Sequence, residues 1–367
     1  MKAEVERMSS RSHPLEGIQA LRAIAALIVV LHHALEESMA AAVPFSPDWF
    51  TTFGAAGVYI FFVISGFIIL YVSFPDGRAA ASPASFLIKR ITRIYPFYWF
   101  CVALVLGLWT AGFYRSLQVD AETLIRSMLL FPSERLVIGV AWTLVYEMYF
   151  YLVFAATLVF RKPLVSLLGT SATILILSGI GHFAPDPAVH AFLTNPIALE
   201  FCFGLLLAYV HQRWSGSSSA VRLLWIPGFA MLMLSAWLVP HADTNGLPGG
   251  PRVFAWGIPA VLITLSFLSA KPSSTPFRQV MVLLGDASYA IYLAHPFVMI
   301  AYAKLLRGSL AKLPQLPLIP LVVLLSAALG LLLHYFVERR LILIFRGLFG
   351  LRSSSFGFEG PRPTTPS

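Results

Sequence analysis

The sequence predicts an all-α integral membrane protein with about ten transmembrane helices and both termini in the cytoplasm. Of its 367 residues, 58% are hydrophobic and 12% are charged, and the mean hydropathy is +0.78. A soluble domain usually has about 25% charged residues, so this composition argues against an ordinary soluble enzyme. The apolar residues are gathered in runs of roughly 20, which is the length that a helix needs to cross a bilayer.

Ten apolar runs are long enough to be candidate spans, and mostly short polar segments separate them. The first run is followed by Glu36, Glu37 and further spans, so it is predicted to be a retained helix and not a cleaved signal peptide. Asp286 and His295 interrupt the ninth run, which is therefore the least regular. The runs cover residues 18–38, 54–74, 94–113, 136–160, 163–183, 195–212, 221–239, 252–270, 283–303 and 316–336.

Basic residues decide the predicted orientation. The chain has 26 Lys and Arg against 17 Asp and Glu, a net charge of +9. With the N-terminus inside, 18 of these basic residues fall in inside segments and 7 in outside loops, while Arg22 lies within a span. This asymmetry favours cytoplasmic termini. Because the basic residues are spread thinly between apolar runs, they indicate membrane orientation and not nucleic-acid binding.

The loops are too short to hold a separate soluble domain. Residues 1–340 are predicted to form one transmembrane domain, and residues 341–367 a cytoplasmic tail that is partly disordered. The longest loop, 114–135, mixes charged residues with Leu and Met and is predicted to hold an interfacial amphipathic helix. Cys101 and Cys202 lie in apolar runs, which indicates packed thiols and not a disulfide framework.

The first span carries Arg22 and His33 on one helical face. Eleven residues at about 100° per residue return to within roughly 20° of the same direction and rise about 16 Å, whereas His32 points about 80° away. The plain structural alternative is that Arg22 snorkels to the lipid surface and both histidines bond neighbouring helices. The functional interpretation makes His33 a reactive group deeper along the face of Arg22.

Three further spans carry polar groups at helical spacing. Glu147, midway through the fourth span, needs a partner, so it is either half of a structural pair or a group that tunes a catalytic histidine. In the second span Ser65 precedes Gly66. The small size of Gly66 permits close helix packing, and the hydroxyl of Ser65 is a hydrogen-bond donor. The ninth span places one polar stripe against a wet cavity or a neighbouring helix. The stripe consists of Ser288, Tyr292 and His295.

Arg90 and Arg93 precede the third span and share a helical face at i and i+3. One interpretation is anchoring to anionic lipid at the cytoplasmic surface. The other is a phosphate clamp, because the guanidinium fork matches the geometry of phosphate oxygens. The spacing alone leaves both interpretations open.

Taken in order, these motifs resemble membrane-bound acyltransferase family 3, and within it the exopolysaccharide O-acetyltransferase branch. The resemblance extends over about residues 16–340. One departure is Gln19, which stands where family members often have an acidic residue. The matching segments are Arg22 and His33 with ten residues between them, residues 62–67, Arg90 and Arg93 with two residues between them, residues 141–151 including Trp142, residues 285–296, and Val337 with Glu338.

The resemblance implies transfer of an acetyl group from acetyl-CoA to a sugar hydroxyl of an exopolysaccharide or other surface glycan, in the bacterial inner membrane. Arg22, Arg90 and Arg93 would then hold the CoA phosphates, and no metal is expected. We expect His33 to be the general base or a transient acyl carrier, and Glu147 to fix its tautomer. Ser65, Trp142, Ser288, Tyr292 and His295 would line the substrate pocket.

Two other functions remain open at this stage. The first is transfer of another acyl group, such as succinyl, or transfer to an acceptor that is not a polysaccharide. The second is secondary transport along the histidine and glutamate residues, against which the lack of an internal repeat argues. Membrane lipid, acetyl-CoA and a glycan acceptor are the expected partners, no nucleic acid is expected, and the oligomeric state is left open.

Overall fold

The computed structural model describes residues 2–40, 48–113, 117–214, 218–238, 253–270, 275–308 and 317–350. Within these ranges the regular structure is helical and contains no strand. The all-α prediction is therefore confirmed for the described residues. The prediction of two cytoplasmic termini stays a prediction.

Fifteen α-helices form in the described ranges, together with two π-helical segments, Val253–Gly257 and His334–Glu338. In chain order the α-helices are α1 (Lys2–Ala40), α2 (Asp48–Ser73), α3 (Pro83–Thr110), α4 (Ala121–Leu129), α5 (Trp142–Thr157), α6 (Pro163–Gly181), α7 (Pro187–Thr194), α8 (Leu199–His211), α9 (Ser219–Arg222), α10 (Trp225–Leu238), α11 (Ile258–Leu268), α12 (Pro276–Asp286), α13 (Ser288–Leu306), α14 (Leu318–Leu333) and α15 (Arg339–Leu348).

Seven helical segments in the described ranges are long and apolar enough to cross a membrane. An eighth span forms if α7 and α8, which are bent by 45° at their junction, cross together. The seventh and eighth predicted runs instead correspond to shorter apolar helices, Ser219–Ser235 and Val253–Leu268. The seven segments are Glu16–Ser38, Gly54–Ser73, Pro83–Thr110, Gly139–Phe160, Pro163–Gly181, Ser288–Leu306 and Leu318–Leu348.

Two predicted boundaries are wrong in ways that matter for the site. The third helix begins at Pro83, after Ser82 whose hydroxyl caps the helix, so Arg90 and Arg93 lie inside α3 and not before it. The ninth run is divided at Ala287, which places Asp286 at the end of α12, outside the span. The first difference arises because charged residues lower the hydropathy of a segment without preventing it from being helical, and the second because hydropathy does not detect a break between two helices.

Two other predicted segments also differ in detail. The expected helix in the 114–135 loop forms as α4, with Asp120 at its N-cap. The last span does not end near residue 336 but continues through the π-helical segment into α15 and ends at Leu348. The first part of the predicted tail is therefore helical, and residues 351–367 lie outside the described ranges.

Helix α2 lies at the centre of the bundle, where it contacts α1 on one side and α8 on the other. The crossing with α8 is close because it is formed by two glycines. A Cβ on Gly66 would lie 2.1 Å from the carbonyl oxygen of Phe201, and one on Gly204 would lie 2.1 Å from that of Val63. The predicted role of Gly66 in close packing is confirmed. The contact fixes the position of Ser65, the preceding residue on α2.

Candidate active site

A cavity of about 300 Å³ lies among α1, α2, α3, α5, α13 and α15. We call it the cationic cavity, because five of its lining residues are basic and only one is acidic, Glu147. Such an excess of like charge inside a membrane protein is costly unless an anion is bound there. The basic residues are Arg22, Lys89, Arg90, Arg93 and Arg346.

The arginines of this cavity are close together and partly held by aromatic rings. Arg93 interacts electrostatically with Arg22, Arg90 and Arg346. The Arg90 guanidinium carbon lies 5.5 Å from the centre of the Tyr151 ring, which is a cation–π distance. Within the described part of the chain, the buried Nε of Arg90 has no hydrogen-bond partner. An anionic ligand with acceptor oxygens would satisfy this donor.

Glu147 lies in the cationic cavity and not beside His33. Its carboxylate accepts a hydrogen bond from the Ser65 hydroxyl at 3.1 Å and another from the Tyr151 hydroxyl. In the described residues it makes no hydrogen bond with His33, so the prediction that Glu147 fixes the tautomer of this histidine is wrong. Its charge instead opposes those of Arg22 and Arg90, with which it interacts electrostatically.

Arg22 does not snorkel to the lipid surface. It is 9% exposed, and its guanidinium donates to the Gln19 side-chain oxygen at 3.2 Å. The amide of Gln19 in turn donates to the Asp286 carboxylate at 2.5 Å. Gln19 therefore links Arg22 to the Asp286 carboxylate of α12. Gln19 occupies the position at which members of the family that this chain resembles often have an acidic residue.

A second cavity, of about 880 Å³, adjoins the opposite half of the span of α1. We call it the histidine cavity, because His32 and His33 line it together with the aromatic side chains of Tyr59, Trp142, Tyr146 and Phe192. Its lining also includes polar residues from loops and helix ends, namely Gln118, Ser133, Glu134, Arg135 and Asn195.

His33 is the more accessible of the two histidines. The side chain of His33 is 32% exposed and that of His32 is 9% exposed. The Nδ1 atom of His33 lies 3.0 Å from a carboxylate oxygen of Glu36, whose other oxygen lies 3.2 Å from His32. Because a carboxylate accepts hydrogen bonds, the proton of neutral His33 is on Nδ1, which leaves Nε2 with the lone pair.

Among the described residues, the side chains of His32, His33 and Glu36 form a group whose spacing would suit a metal ion. Their ligand atoms all lie within 4.8 Å of one another. The Glu36 carboxylate accepts from His33 and lies 3.2 Å from His32, which accounts for this geometry, so the cluster is sufficiently explained as a histidine pair oriented by one carboxylate.

The two cavities share two lining residues, Val58 and Tyr292, which form the wall between them. The Tyr292 hydroxyl donates to the Val140 carbonyl at 3.0 Å and accepts from the Thr143 hydroxyl at 3.0 Å. His295 lies behind this wall, with its Nδ1 2.6 Å from the Tyr292 carbonyl oxygen. Its ring stacks on His33, with the ring centres 5.1 Å apart.

The structure brings the predicted site residues to these two cavities and the wall between them. His295 is the exception to the predicted pocket lining, since it is 1% exposed and lines neither cavity. The cationic cavity is lined by Arg22, Ser65, Arg90, Arg93, Glu147 and Ser288, the histidine cavity by His33 and Trp142, and both by Tyr292.

The sequence analysis missed four residues of the site. Glu36 was detectable, because it is three residues after His33 and four after His32, which is the spacing of helical neighbours. Lys89 and Tyr151 are next to or within recognised motifs but were assigned no role. Arg346 lies near the C-terminus in a segment predicted to be a tail, so no local pattern connected it with the site.

One ion pair joins two segments that line the histidine cavity. Arg126 of α4 donates to the Pro132 carbonyl at 2.8 Å and to the Asp186 carboxylate at 2.5 Å. Pro132 and residues 133–136 line one side of the cavity, and Pro187 and Ala188, directly after Asp186, line another. The hydrogen bond from Arg126 lowers the pKa of Asp186, so this carboxylate remains charged to a lower pH than usual.

Comparison with known proteins agrees with these features. Residues 15–335 match the model of a family described as an acyltransferase domain, Acyl_transf_3. The chain is 32% identical to the exopolysaccharide production protein ExoZ of Rhizobium meliloti over 69% of its own length and 79% of that protein. It is 28% identical to the acyltransferase MdmB of Streptomyces mycarofaciens, over 82% of the chain and 83% of that protein. No solved structure matches the chain.

Proposed function

The chain belongs to the acyltransferase family that matches residues 15–335, and from this premise we propose that it transfers an acetyl group from acetyl-CoA to a sugar hydroxyl of an exopolysaccharide or other surface glycan. The chain is an O-acyltransferase with several membrane-spanning helices. The observation that carries the finer proposal is the pair of cavities that meet at Val58 and Tyr292.

The cationic cavity suits the donor. CoA carries phosphate groups at its nucleotide end, and guanidinium groups bind phosphate oxygens with two parallel hydrogen bonds. Arg90 and Arg93 extend from consecutive turns of α3 into this cavity, and Arg22 faces them from α1. Glu147 limits the repulsion among the arginines and keeps Tyr151 and Ser65 in place through its two hydrogen bonds.

His33 suits the role of general base. Its Nε2 would take the proton of the acceptor hydroxyl as the oxygen attacks the thioester carbonyl carbon. For this attack the acetyl end of the donor would extend from the cationic cavity between Val58 and Tyr292 to the acceptor. The carbon–sulfur bond then breaks, and the CoA thiolate leaves and is protonated in the cationic cavity. Glu36 holds Nδ1 and stabilises the imidazolium that forms, in the manner of the carboxylate of a catalytic triad.

The histidine cavity suits a carbohydrate acceptor. Its aromatic side chains, such as Trp142 and Phe192, offer flat apolar surfaces to the faces of sugar rings, and its polar residues offer hydrogen bonds to hydroxyl groups. The volume of about 880 Å³ is within the usual range for a ligand site. The name of the Rhizobium relative, an exopolysaccharide production protein, supports the same class of acceptor.

We place the protein in the bacterial inner membrane, with the cationic cavity on the cytoplasmic side where acetyl-CoA is made available. The excess of basic residues in the segments assigned to the inside supports this orientation. Membrane lipid, acetyl-CoA and the glycan are the proposed partners, with no role for nucleic acid or a metal.

Two experiments test the proposal. The first compares the acetyl content of surface glycans in cells with and without the gene, and the expected result is loss of O-acetyl groups without it. The second gives the purified protein acetyl-CoA or succinyl-CoA in competition. A preference for succinyl-CoA would show that the donor is not acetyl-CoA. Acylation of a non-glycan acceptor in cells would show that the acceptor is not a glycan. In either case the protein would still be an acyltransferase. Sugar uptake into vesicles without an acyl donor would instead support a transporter.

A further inference from the structure

The last helix of the described chain extends beyond the part that matches the family. The match ends at residue 335, within the π-helical segment that connects α14 to α15. The helical segment Leu318–Leu348 has 31 residues, which at about 1.5 Å per residue is longer than a hydrocarbon core of roughly 30 Å. Part of the segment therefore extends beyond the hydrocarbon, and α15, with its three arginines, is suited to the headgroup level.

Helix α15 packs against α3, the helix that carries Arg90 and Arg93. The Phe345 ring of α15 faces the Trp99 ring of α3, with the ring centres 6.5 Å apart. The next residue, Arg346, is half-buried and lines the cationic cavity. Elsewhere on α15 part of the surface is apolar, since Leu343 and Ile344 are 65% and 57% exposed.

We propose that Arg346 binds a phosphate group of the acyl donor, so that α15 completes the donor site from outside the family domain. This inference rests on the proposed function. Arg346 adds a basic residue to a cavity whose lining already holds four, and it interacts electrostatically with Arg93. Placing like charges together is unfavourable in an empty cavity and favourable around a polyanion, so the arrangement fits a ligand with several phosphates.

Arg340 provides a matched control on the same helix. It is exposed and lines neither cavity, while having the same charge and a similar distance from the end of the chain. The variants Arg346→Gln and Arg340→Gln each remove one positive charge from α15. If anions are attracted to the basic helix in general, both variants should weaken anion binding alike. If Arg346 contacts a phosphate directly, only Arg346→Gln should weaken it.

The first measurement is binding of adenosine 3′,5′-bisphosphate, which carries the 3′-phosphate and the first 5′-phosphate of the nucleotide end of CoA, to the purified full-length protein in detergent. We expect Arg346→Gln to weaken binding about tenfold, as for loss of one charge-assisted hydrogen bond, and Arg340→Gln to leave it unchanged. Equal affinities for the two variants, or no binding to the unsubstituted protein, would overturn the proposal. Thermal midpoints of both variants verify that neither has lost its fold.

The second measurement separates this inference from the proposed function. The KM for acetyl-CoA is compared with that for acetyl-pantetheine, which lacks the nucleotide and its phosphates. Arg346→Gln should raise only the first KM, by about tenfold, and leave the acceptor KM unchanged. If the unsubstituted protein uses neither donor, the proposed donor is wrong, while the bisphosphate measurement still decides whether Arg346 binds phosphate. If both KM values rise together, Arg346 has a structural role and the inference fails.

Discussion

The rings of His33 and His295 stack at 5.1 Å with an angle of 19° between their planes. His295 donates from Nδ1 to the carbonyl of Tyr292, one of the two residues shared by the cavities, so the stack connects the proposed base to the wall. His33 has its own carboxylate partner in Glu36. The proposed base is thus fixed on two sides, by a ring and by a carboxylate.

The first prediction concerns the two adjacent histidines. His33→Gln should lower kcat by roughly 10²–10⁴-fold, because it removes the general base. His32→Gln should have a much smaller effect, since His32 is the less accessible ring. Initial rates of acetyl transfer by the purified variants measure this difference. A loss of activity confined to the His32 variant would contradict the assignment of the base.

The second prediction concerns the carboxylate that orients His33. Glu36→Gln should lower kcat by about 10–100-fold and leave the KM for acetyl-CoA unchanged, because an amide holds the wrong tautomer but lies far from the donor. Glu147→Gln should do the reverse and alter the donor KM first, since Glu147 faces the arginines. Steady-state kinetics with varied acetyl-CoA distinguish the two. If Glu147→Gln reduced only kcat, the result would favour Glu147, and not Glu36, as the residue that fixes the tautomer of His33.

The third prediction tests the crossing of α2 and α8. Gly66→Ala would place a methyl group 2.1 Å from a backbone carbonyl, so we expect a loss of about 1–3 kcal/mol or more in stability. Gly107→Ala is the control, because in the described residues a Cβ at that position in α3 would meet no atom within 4 Å beyond the adjacent backbone of its own helix. Thermal midpoints of the detergent-solubilised variants give the comparison. Equal midpoints would mean that the crossing is more open than described.

The fourth prediction is a pH dependence at the rim of the histidine cavity. The pKa of Asp186 is lowered in the folded state by Arg126, so this pair stabilises the protein above the unfolded value of about 3.9 and ceases to do so as the pH falls through the folded value. Asp186→Asn keeps an N-cap residue on α7 but removes the charge. The difference in thermal midpoint from the unsubstituted protein should therefore be largest near neutral pH and shrink in acid.

Glu122 provides the control for this pair. It also contacts Arg126, at 2.8 Å, but its side chain is 71% exposed, so Glu122→Gln should change the midpoint little at any pH. Asp186→Asn should also raise the acceptor KM, because Arg126 joins the two segments that line that cavity. Identical pH profiles for the two variants would show that the Asp186 pair is no stronger than an exposed contact.

The sequence predicted the helical fold, and the predicted site residues other than His295 line one or both of the two cavities, because each motif carries its own helical spacing. Ser288, Tyr292 and His295 indeed follow one stripe that leads from the cationic cavity, along the wall, to His33. What spacing cannot supply is the relative depth of two different helices. Glu147 and His33 were matched across α5 and α1 by chemistry alone, and the structure places them in different cavities.

Long-range contributions were also beyond the sequence. Arg346 reaches the cavity because α15 packs on α3, where Phe345 faces Trp99, a contact between residues far apart in the chain. Asp286 was counted as an interruption of a span, whereas it ends α12 and receives a hydrogen bond from Gln19. In both cases the hydropathy of the segment shows that a charged residue is present but not which residues it contacts. These contacts determine the role of the charged residue.

The wall formed by Val58 and Tyr292 has an electrical consequence for the proposed reaction. The hydroxyl proton is released in the histidine cavity, and the thiolate takes up a proton in the cationic cavity. The part of the membrane potential that falls across this layer acts on the charge that the two proton transfers separate. Unless a proton crosses the layer, each turnover separates one elementary charge, at about 2.3 kcal/mol per 100 mV. Glycan acetylation would then depend on the energised state of the membrane.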